Sequence, residues 1–192
     1  MASEKEHLRF PDEDDEWEAR QRLESALFGV GMRRYEISNY SRVGDECLHN
    51  LAYWRMESYL GAGPGAVSTL VRRNGTSLRI EEAKAVEGYR RFASQTASEN
   101  AVGLRDAVFE SVMMAFRTSF GLDLDAFKLR FGMDAETLIC DSLAAWKERI
   151  RVGEPWPGMA ECAGPALDGQ GLDILNRFLI ACGEEIDRKI PI

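Results

Sequence analysis

The sequence predicts an α+β fold in two parts, with short strands and helices first and a mostly helical region afterwards. Three observations carry this expectation. Apolar residues recur at helical spacing at Leu104, Val108, Val112, Met113 and Phe116, and again at Leu172, Leu175, Leu179 and Cys182. Two short β-prone runs, 66–71 and 77–80, flank Asn74-Gly75, a dipeptide that favours a tight hairpin turn. Between these regimes lies the polar stretch Ser94-Gln95-Thr96-Ala97-Ser98-Glu99-Asn100, with Gly103 just beyond it. The domain boundary is placed there, dividing 1–97 from 98–192.

In the first part, residues 12–28 read as an amphipathic helix with Ala19, Leu23, Ala26 and Leu27 along its inward face, ended by Gly29 and Gly31. The acids at 12–16 suit its first turn, where carboxylates meet the positive end of the helix dipole. A strand over 34–37 follows; alternation puts Tyr35 and Ile37 on one face and Glu36 on the other, so only one set is expected in the core. Residues 49–54 read as a turn or short helix, 59–62 and 66–71 as short strands split by Gly63-Pro64-Gly65, and 81–92 as a helix.

In the second part, the helix beginning near Leu104 is closed by Gly121, and its methionines are core filler. A short helix over 124–131 stops at Gly132, and a longer one over 135–151 turns Leu138, Ser142 or Leu143, Trp146 and Ile150 inward. A loop over 154–165, rich in Pro and Gly, leads through Asp168-Gly169-Gln170-Gly171 into the last helix. Helices, a hairpin-like loop and a closing helix predict a winged-helix-like arrangement. Mixed charge on its middle helices argues against DNA.

Composition sets outer limits. The chain has 192 residues, 45% hydrophobic and 29% charged, enough for one sizeable core or two small ones. A net charge of −8 argues against a nucleic-acid partner, which calls for a clustered cationic face. The sequence lacks an apolar run of membrane-spanning length, and residues 1–10 are charged where a signal peptide is apolar, so a cytoplasmic location is expected. Cys47, Cys140, Cys162 and Cys182 are widely scattered, which in a reducing compartment predicts free thiols.

Three unusual words stand close together: Tyr35-Glu36-Ile37-Ser38-Asn39, His49-Asn50-Leu51-Ala52-Tyr53-Trp54 and Tyr59-Leu60-Gly61-Ala62-Gly63-Pro64-Gly65-Ala66. In that order they resemble the YEISN, HNxxYW and YLGxGxGA words of the HemW-like proteins, relatives of oxygen-independent coproporphyrinogen III oxidase in the radical S-adenosylmethionine superfamily. The resemblance spans most of the chain and implies the family's C-terminal portion. Residues 1–97 would be the end of a partial β/α barrel, and residues 98–192 a HemN C-terminal-like helical domain. The family's CxxxCxxC motif, whose thiolates hold a 4Fe-4S cluster, has no counterpart in this sequence. Cluster and S-adenosylmethionine are therefore expected only for a full-length family member, and catalysis by this polypeptide alone is not expected. A barrel fragment also leaves a strand edge that invites a homo-oligomer or a missing N-terminal half to pair with it.

The resemblance associates HNxxYW with haem. It makes His49, one of two histidines, the first choice of axial ligand, since a neutral imidazole binds haem iron well. Cys47 offers a thiolate alternative, and Asn50, Tyr53 and Trp54 supply a polar anchor and flat aromatic surface for a porphyrin face. The plain structural alternative is that His49 and Asn50 brace neighbouring loops while Tyr53 and Trp54 fill core. Gly61, Gly63 and Gly65 let backbone approach a cofactor closely, or simply make a tight strand connection. Relatives use the position of Val67, commonly His there, to line the S-adenosylmethionine end of the barrel; valine weakens that role. Glu36 and Asn39 would orient a ligand, and Arg73 would pair with a propionate. The function expected is that of a haem-binding, haem-chaperone-like fragment serving a haem-accepting client. The alternative is a part of a coproporphyrinogen III oxidase in porphyrin biosynthesis, active when another chain supplies the 4Fe-4S half.

Overall fold

The computed structural model describes residues 11–90, 98–157 and 164–191. The expectations for residues 1–10, for Cys162, for most of the polar linker and for the tip of the 154–165 loop lie outside them. Helix α1 (Glu13–Gly29) begins at Asp12, whose carboxylate accepts the Asp15 N–H at 3.0 Å while the Asp15 side chain accepts the Asp12 N–H. This reciprocal cap satisfies two N–H groups that have no partner within the helix. The inward face expected for Ala19, Leu23, Ala26 and Leu27 is not formed: the helix buries no residue, and Leu23 is 54% exposed. The helix is anchored by charge instead. Arg20 and Arg34 both pair with Asp173 from the far end of the chain, and Glu24 accepts the Tyr40 hydroxyl at 2.8 Å.

Strand β1 (Arg33–Arg34) pairs antiparallel with β2 (Tyr40–Ser41). The strand expected over 34–37 ends early, because Tyr35 donates its N–H across the turn to the Asn39 carbonyl and Glu36 bridges to Thr118. The backbone is therefore clasped on both sides, and Tyr35 and Glu36 are both buried. That corrects the expectation that only one of the two faces is core. After α2 (Leu48–Trp54), strands β3 (Val67–Val71) and β4 (Ser77–Glu81) form the hairpin expected around Asn74-Gly75. Asn74 Oδ1 accepts both the N–H and the hydroxyl of Thr76 there, tying the turn to its own side chain. Residues 59–62 are not a strand; Tyr59 alone exchanges two backbone bonds with Thr69. A short helix, α3 (Val86–Arg90), covers the described part of the one expected over 81–92. Strand β5 (Ser98–Val102) then adds to β4, giving a three-stranded antiparallel sheet in the order β3-β4-β5 that continues past residue 97.

The second region consists of α4 (Leu104–Ala115), α5 (Leu124–Phe131), α6 (Ala135–Leu138), α7 (Cys140–Ala145), β6 (Ile150–Val152), β7 (Pro165–Leu167), α8 (Gly169–Asp173) and α9 (Leu175–Lys189). Antiparallel β6 and β7 form the two-stranded wing before the closing helices, in line with the winged-helix-like expectation. The single helix expected over 135–151 is instead broken into α6, α7, a 3-10 turn at Lys147–Arg149 and β6. Two tertiary contacts account for the break. Glu185 of α9 takes the N–H groups of Asp141 and Ser142, which starts a new helix after Ile139, and the β-branched Ile150 and Val152 are drawn into pairing with β7.

The main core is built from α4, α5, α6 and α9 around Val108, Val112, Phe116, Ile139, Phe178 and Ile186, none of which exposes measurable surface. The predicted inward stripe Leu172, Leu175, Leu179 and Cys182 is buried. A second cluster of Tyr35, Leu51, Phe120 and Trp156, with Trp54 against it, ties α2 and the 35–39 turn to the helical region. Asp168 caps α8 by accepting the Gly171 N–H at 2.6 Å. Asp168→Ala is expected to lower stability by about 1 kcal/mol, read as a lower urea midpoint at unchanged slope, whereas Asp168→Thr restores most of the loss because its hydroxyl reaches the same donor. Among the described residues no helix is long and apolar enough to cross a membrane.

Candidate functional site

The tertiary structure brings two of the three sequence words to one cleft of about 370 Å³. Glu36 and Asn39 come from the turn after β1, Asn50, Tyr53 and Trp54 from α2, and Arg117 from the segment just after α4. The turn holds its shape because the Glu36 carboxylate accepts the Ser38 N–H at 3.1 Å. Leu51, only 1% exposed, locks α2 against Tyr35 and Phe120, and a helix locked on that side presents Asn50, Tyr53 and Trp54 to the cleft. Arg117 contributes the cleft's unmet hydrogen-bonding capacity: its Nε is buried with no acceptor among the described residues. The Trp54 indole N–H is in the same condition.

His49 lies beside this cleft, and its exposed imidazole meets the Tyr53 ring edge-on, with centroids 4.8 Å apart. Tyr53 in turn meets Tyr59 at 4.5 Å, so three rings run in contact from α2 to the start of the glycine-rich loop. Cys47 is exposed at the N-terminal cap position of α2, where its thiol makes no capping bond. An exposed imidazole two residues from an exposed thiol, beside a partly apolar cleft, fits the donor set of a bound haem.

The glycines are explained locally. A Cβ on Gly61 would lie 2.5 Å from the Val67 carbonyl oxygen, so glycine is needed where the loop folds back on the start of β3. Gly63 and Gly65 have φ of +117° and +72°, the left-handed region that favours glycine. The N–H groups of Gly61, Gly65 and Ala66 are already spent on Ser68 Oγ, the Ala83 carbonyl and the Gly63 carbonyl. Val67, at the first position of β3, is 36% exposed. Arg73 is exposed in the β3–β4 turn and does not line the cleft.

Among the described residues the thiols do not converge. Among the described residues, the group of three side chains close enough to share a metal is Cys140, Asp141 and Glu185, which contains one cysteine, and Glu185 Oε1 there already receives the Lys189 ammonium at 2.6 Å. Burial pushes the Cys182 thiol up to about 12, leaving it protonated and unreactive. The described donor set does not fit a 4Fe-4S cluster.

The family model of the HemN C-terminal domain matches residues 103–149. The matched stretch runs from the N-cap of α4 to just before the wing. That part of the chain is similar to the HemN C-terminal domain. The "Heme chaperone HemW" of Haemophilus influenzae is 35% identical over 109 residues, which are 57% of this chain and 28% of that protein. The protein of the same name from Escherichia coli is 33% identical over 107 residues, 56% of this chain and 28% of its own length. A mouse protein, "Radical S-adenosyl methionine domain-containing protein 1, mitochondrial", is 40% identical over 77 residues, 40% of this chain and 17% of that one. The alignments thus span under a third of these relatives. Among solved structures, "Coproporphyrinogen III oxidase (HemN) from Escherichia coli is a Radical SAM enzyme" superposes with a TM-score of 0.61 at 14% identity, covering 90% of this chain and 42% of that one. That likeness shows the fold: a mixed helix and sheet arrangement similar to HemN. The resemblance read from the three sequence words is thereby upheld.

Arg117 and Trp156 escaped sequence analysis. Arg117 follows α4 outside every motif, and the Glu36–Thr118 bridge and the Tyr35–Phe120 contact carry it to the 35–39 turn. Trp156 lies in the Pro- and Gly-rich loop, where an aromatic flanked by prolines was the one available signal.

Proposed function

We propose that this chain binds haem at the α2 cleft and serves as a haem-chaperone-like module, not catalytic by itself. Haem is the cargo, and a haem-accepting client protein its destination. The observation that carries this reading is the convergence of Glu36, Asn39, Asn50, Tyr53, Trp54 and Arg117 on one cleft, with the exposed His49 against Tyr53. His49 supplies a neutral imidazole to the iron, and Cys47 is the nearest thiol in sequence. Tyr53 and Trp54 offer aromatic surface to the macrocycle, and the unpaired Arg117 Nε–H suits a propionate. Gly61, Gly63, Gly65 and Val67 form the adjoining loop, and S-adenosylmethionine and the 4Fe-4S cluster belong to full-length family members. Relatives at 33–35% identity bear the name heme chaperone, while the oxidase likeness at 14% identity speaks for the fold alone, so the chaperone reading is preferred over the oxidase one.

The test is a haem titration followed by Soret absorbance. Wild-type chain is expected to give a saturable shift at one haem per chain, and His49→Ala to weaken it at least about tenfold, the loss of one charge-neutral ligand bond. Unsaturable binding, or identical titrations for the two proteins, would overturn the proposal. His49 is exposed, so the substitution is expected to leave thermal stability unchanged.

A further inference from the structure

Trp54 also lines a second cavity, of about 240 Å³, between α2, α4, α5 and the segment holding Trp156. It is small for a ligand pocket and does not admit a macrocycle. Its wall is largely apolar, from Trp54, Ala115, Leu122, Ala126, Phe127 and Trp156. Its polar groups have an asymmetry. Three lining residues leave a buried donor without an acceptor among the described residues: the indole N–H groups of Trp54 and Trp156 and the Arg55 Nε–H. None of the lining residues leaves a buried acceptor without a donor. Trp156 is only 3% exposed, and the Arg55 guanidinium lies over its ring at 4.9 Å while donating to the Pro157 carbonyl.

A second cation reinforces the pattern. Arg130 also lines the cavity, and its guanidinium donates only to neutral carbonyls, those of Gly75 and Met56. Burial pulls its pKa below the usual arginine value, and the nearby Glu110 carboxylate offsets only part of that. The two lining carboxylates are engaged elsewhere or far out. Asp123 caps α5 by accepting the Ala126 N–H at 2.8 Å, and Glu57, with a side chain 53% exposed, comes no nearer than 3.8 Å to Arg55. Buried donors of this kind are ordinarily paired, so a cavity whose orphans are all donors calls for an occupant that brings acceptors.

We infer that this cavity is a binding site for a small aromatic carboxylate, its ring among Trp54, Phe127 and Trp156 and its carboxylate among the Arg55, Trp156 and Arg130 donors. The site shares Trp54 with the haem cleft but does not rest on that reading. The Soret titration does not report on it, so the two proposals stand or fall apart.

The test uses the full chain labelled with ¹⁵N and benzoate as probe, with benzamide as its neutral isostere. Each of the four tryptophans, Trp17, Trp54, Trp146 and Trp156, gives one indole N–H resonance. Benzoate is expected to move the Trp54 and Trp156 resonances saturably and to leave those of Trp17 and Trp146 in place. Benzamide is expected to bind at least about tenfold more weakly, since a charge-assisted bond is stronger than a neutral one. Trp156→Phe keeps the ring and removes the donor, and Arg55→Met removes the charge; each is expected to weaken benzoate by a similar factor. Absence of saturable shifts, equal affinity for benzoate and benzamide, or shifts confined to Trp17 or Trp146 would each overturn the inference. The wild-type titrations decide the question even where a variant fails to fold.

Discussion

Replacing Glu185 by glutamine is expected to lower stability by about 3 kcal/mol, although the change is isosteric. The carboxylate exposes no surface, yet it accepts the Asp141 N–H at 3.0 Å, the Ser142 N–H at 2.9 Å, the Ser142 hydroxyl at 2.7 Å and the Lys189 ammonium at 2.6 Å. It does for α7 what the residue before α7 cannot. Ile139 stands at the N-cap position with a side chain that accepts nothing, so the free donors of the first turn are met from α9 instead. Glutamine retains one acceptor oxygen and turns an NH₂ toward donors. The loss falls at the lower end for a broken buried pair because Lys189 keeps 34% of its side-chain surface in water.

The same contact sets a pH dependence. Burial by itself would raise the Glu185 carboxyl, but the Lys189 ammonium, the two N–H groups and the Ser142 hydroxyl outweigh it and hold the group at about 2, below its ordinary 4.5. A carboxyl depressed by folding stabilises the native state above its unfolded pKa, and that contribution is lost as pH falls through the folded one. Urea midpoints of wild type and Glu185→Gln should therefore differ by a constant amount at neutral pH and converge between pH 4.5 and about 2. A gap unchanged down to pH 2 would show that the carboxylate's charge is not what α7 requires.

Phe178→Ala is expected to cost about 4 kcal/mol and to lower the melting temperature by roughly 10 °C. Phe178 has no exposed surface and packs edge-on against Phe116 at 4.6 Å and against Trp146 at 5.6 Å, so it joins α4, α7 and α9 at one point. Truncation removes the ring's transfer free energy and leaves a cavity that three elements would have to collapse together to fill. Phe178→Leu, which retains most of the volume, is expected to cost under about 1.5 kcal/mol. Differential scanning calorimetry of the three proteins checks both numbers, and equal losses in the two variants would mean that the ring's shape, not its volume, stabilises the core.

The helical region was the more legible part of the chain. Leu172, Leu175, Leu179 and Cys182 recur at a spacing that a helix must place on one face, and that face is buried. Helix α5 begins and ends where Asp123 and Gly132 mark it, because a cap and a stop are local signals. Glu185 was legible in principle too, three residues after Cys182 on the buried stripe, where an acid has to find partners. Helix α1 misled for the converse reason: Leu23 and Ala26 have helical spacing, but spacing does not supply a surface to pack on, and the helix is held by Asp173 instead.

At the site, the chain by itself determined that residues 35–39 and 49–54 carry a family signature and that α2 would present aromatic and polar groups together. Only the tertiary structure decided that these two words share one cleft, that Arg117 completes it, that His49 lies beside it against Tyr53, and that Trp54 also lines a second cavity. The division has a physical reason. Caps, turns and periodic faces are settled within one turn or one hairpin, where residues near in sequence are near in space. A cleft is made by contacts such as Glu36 with Thr118 and Tyr35 with Phe120, between residues far apart in the chain, whose pairing depends on how every intervening element packs.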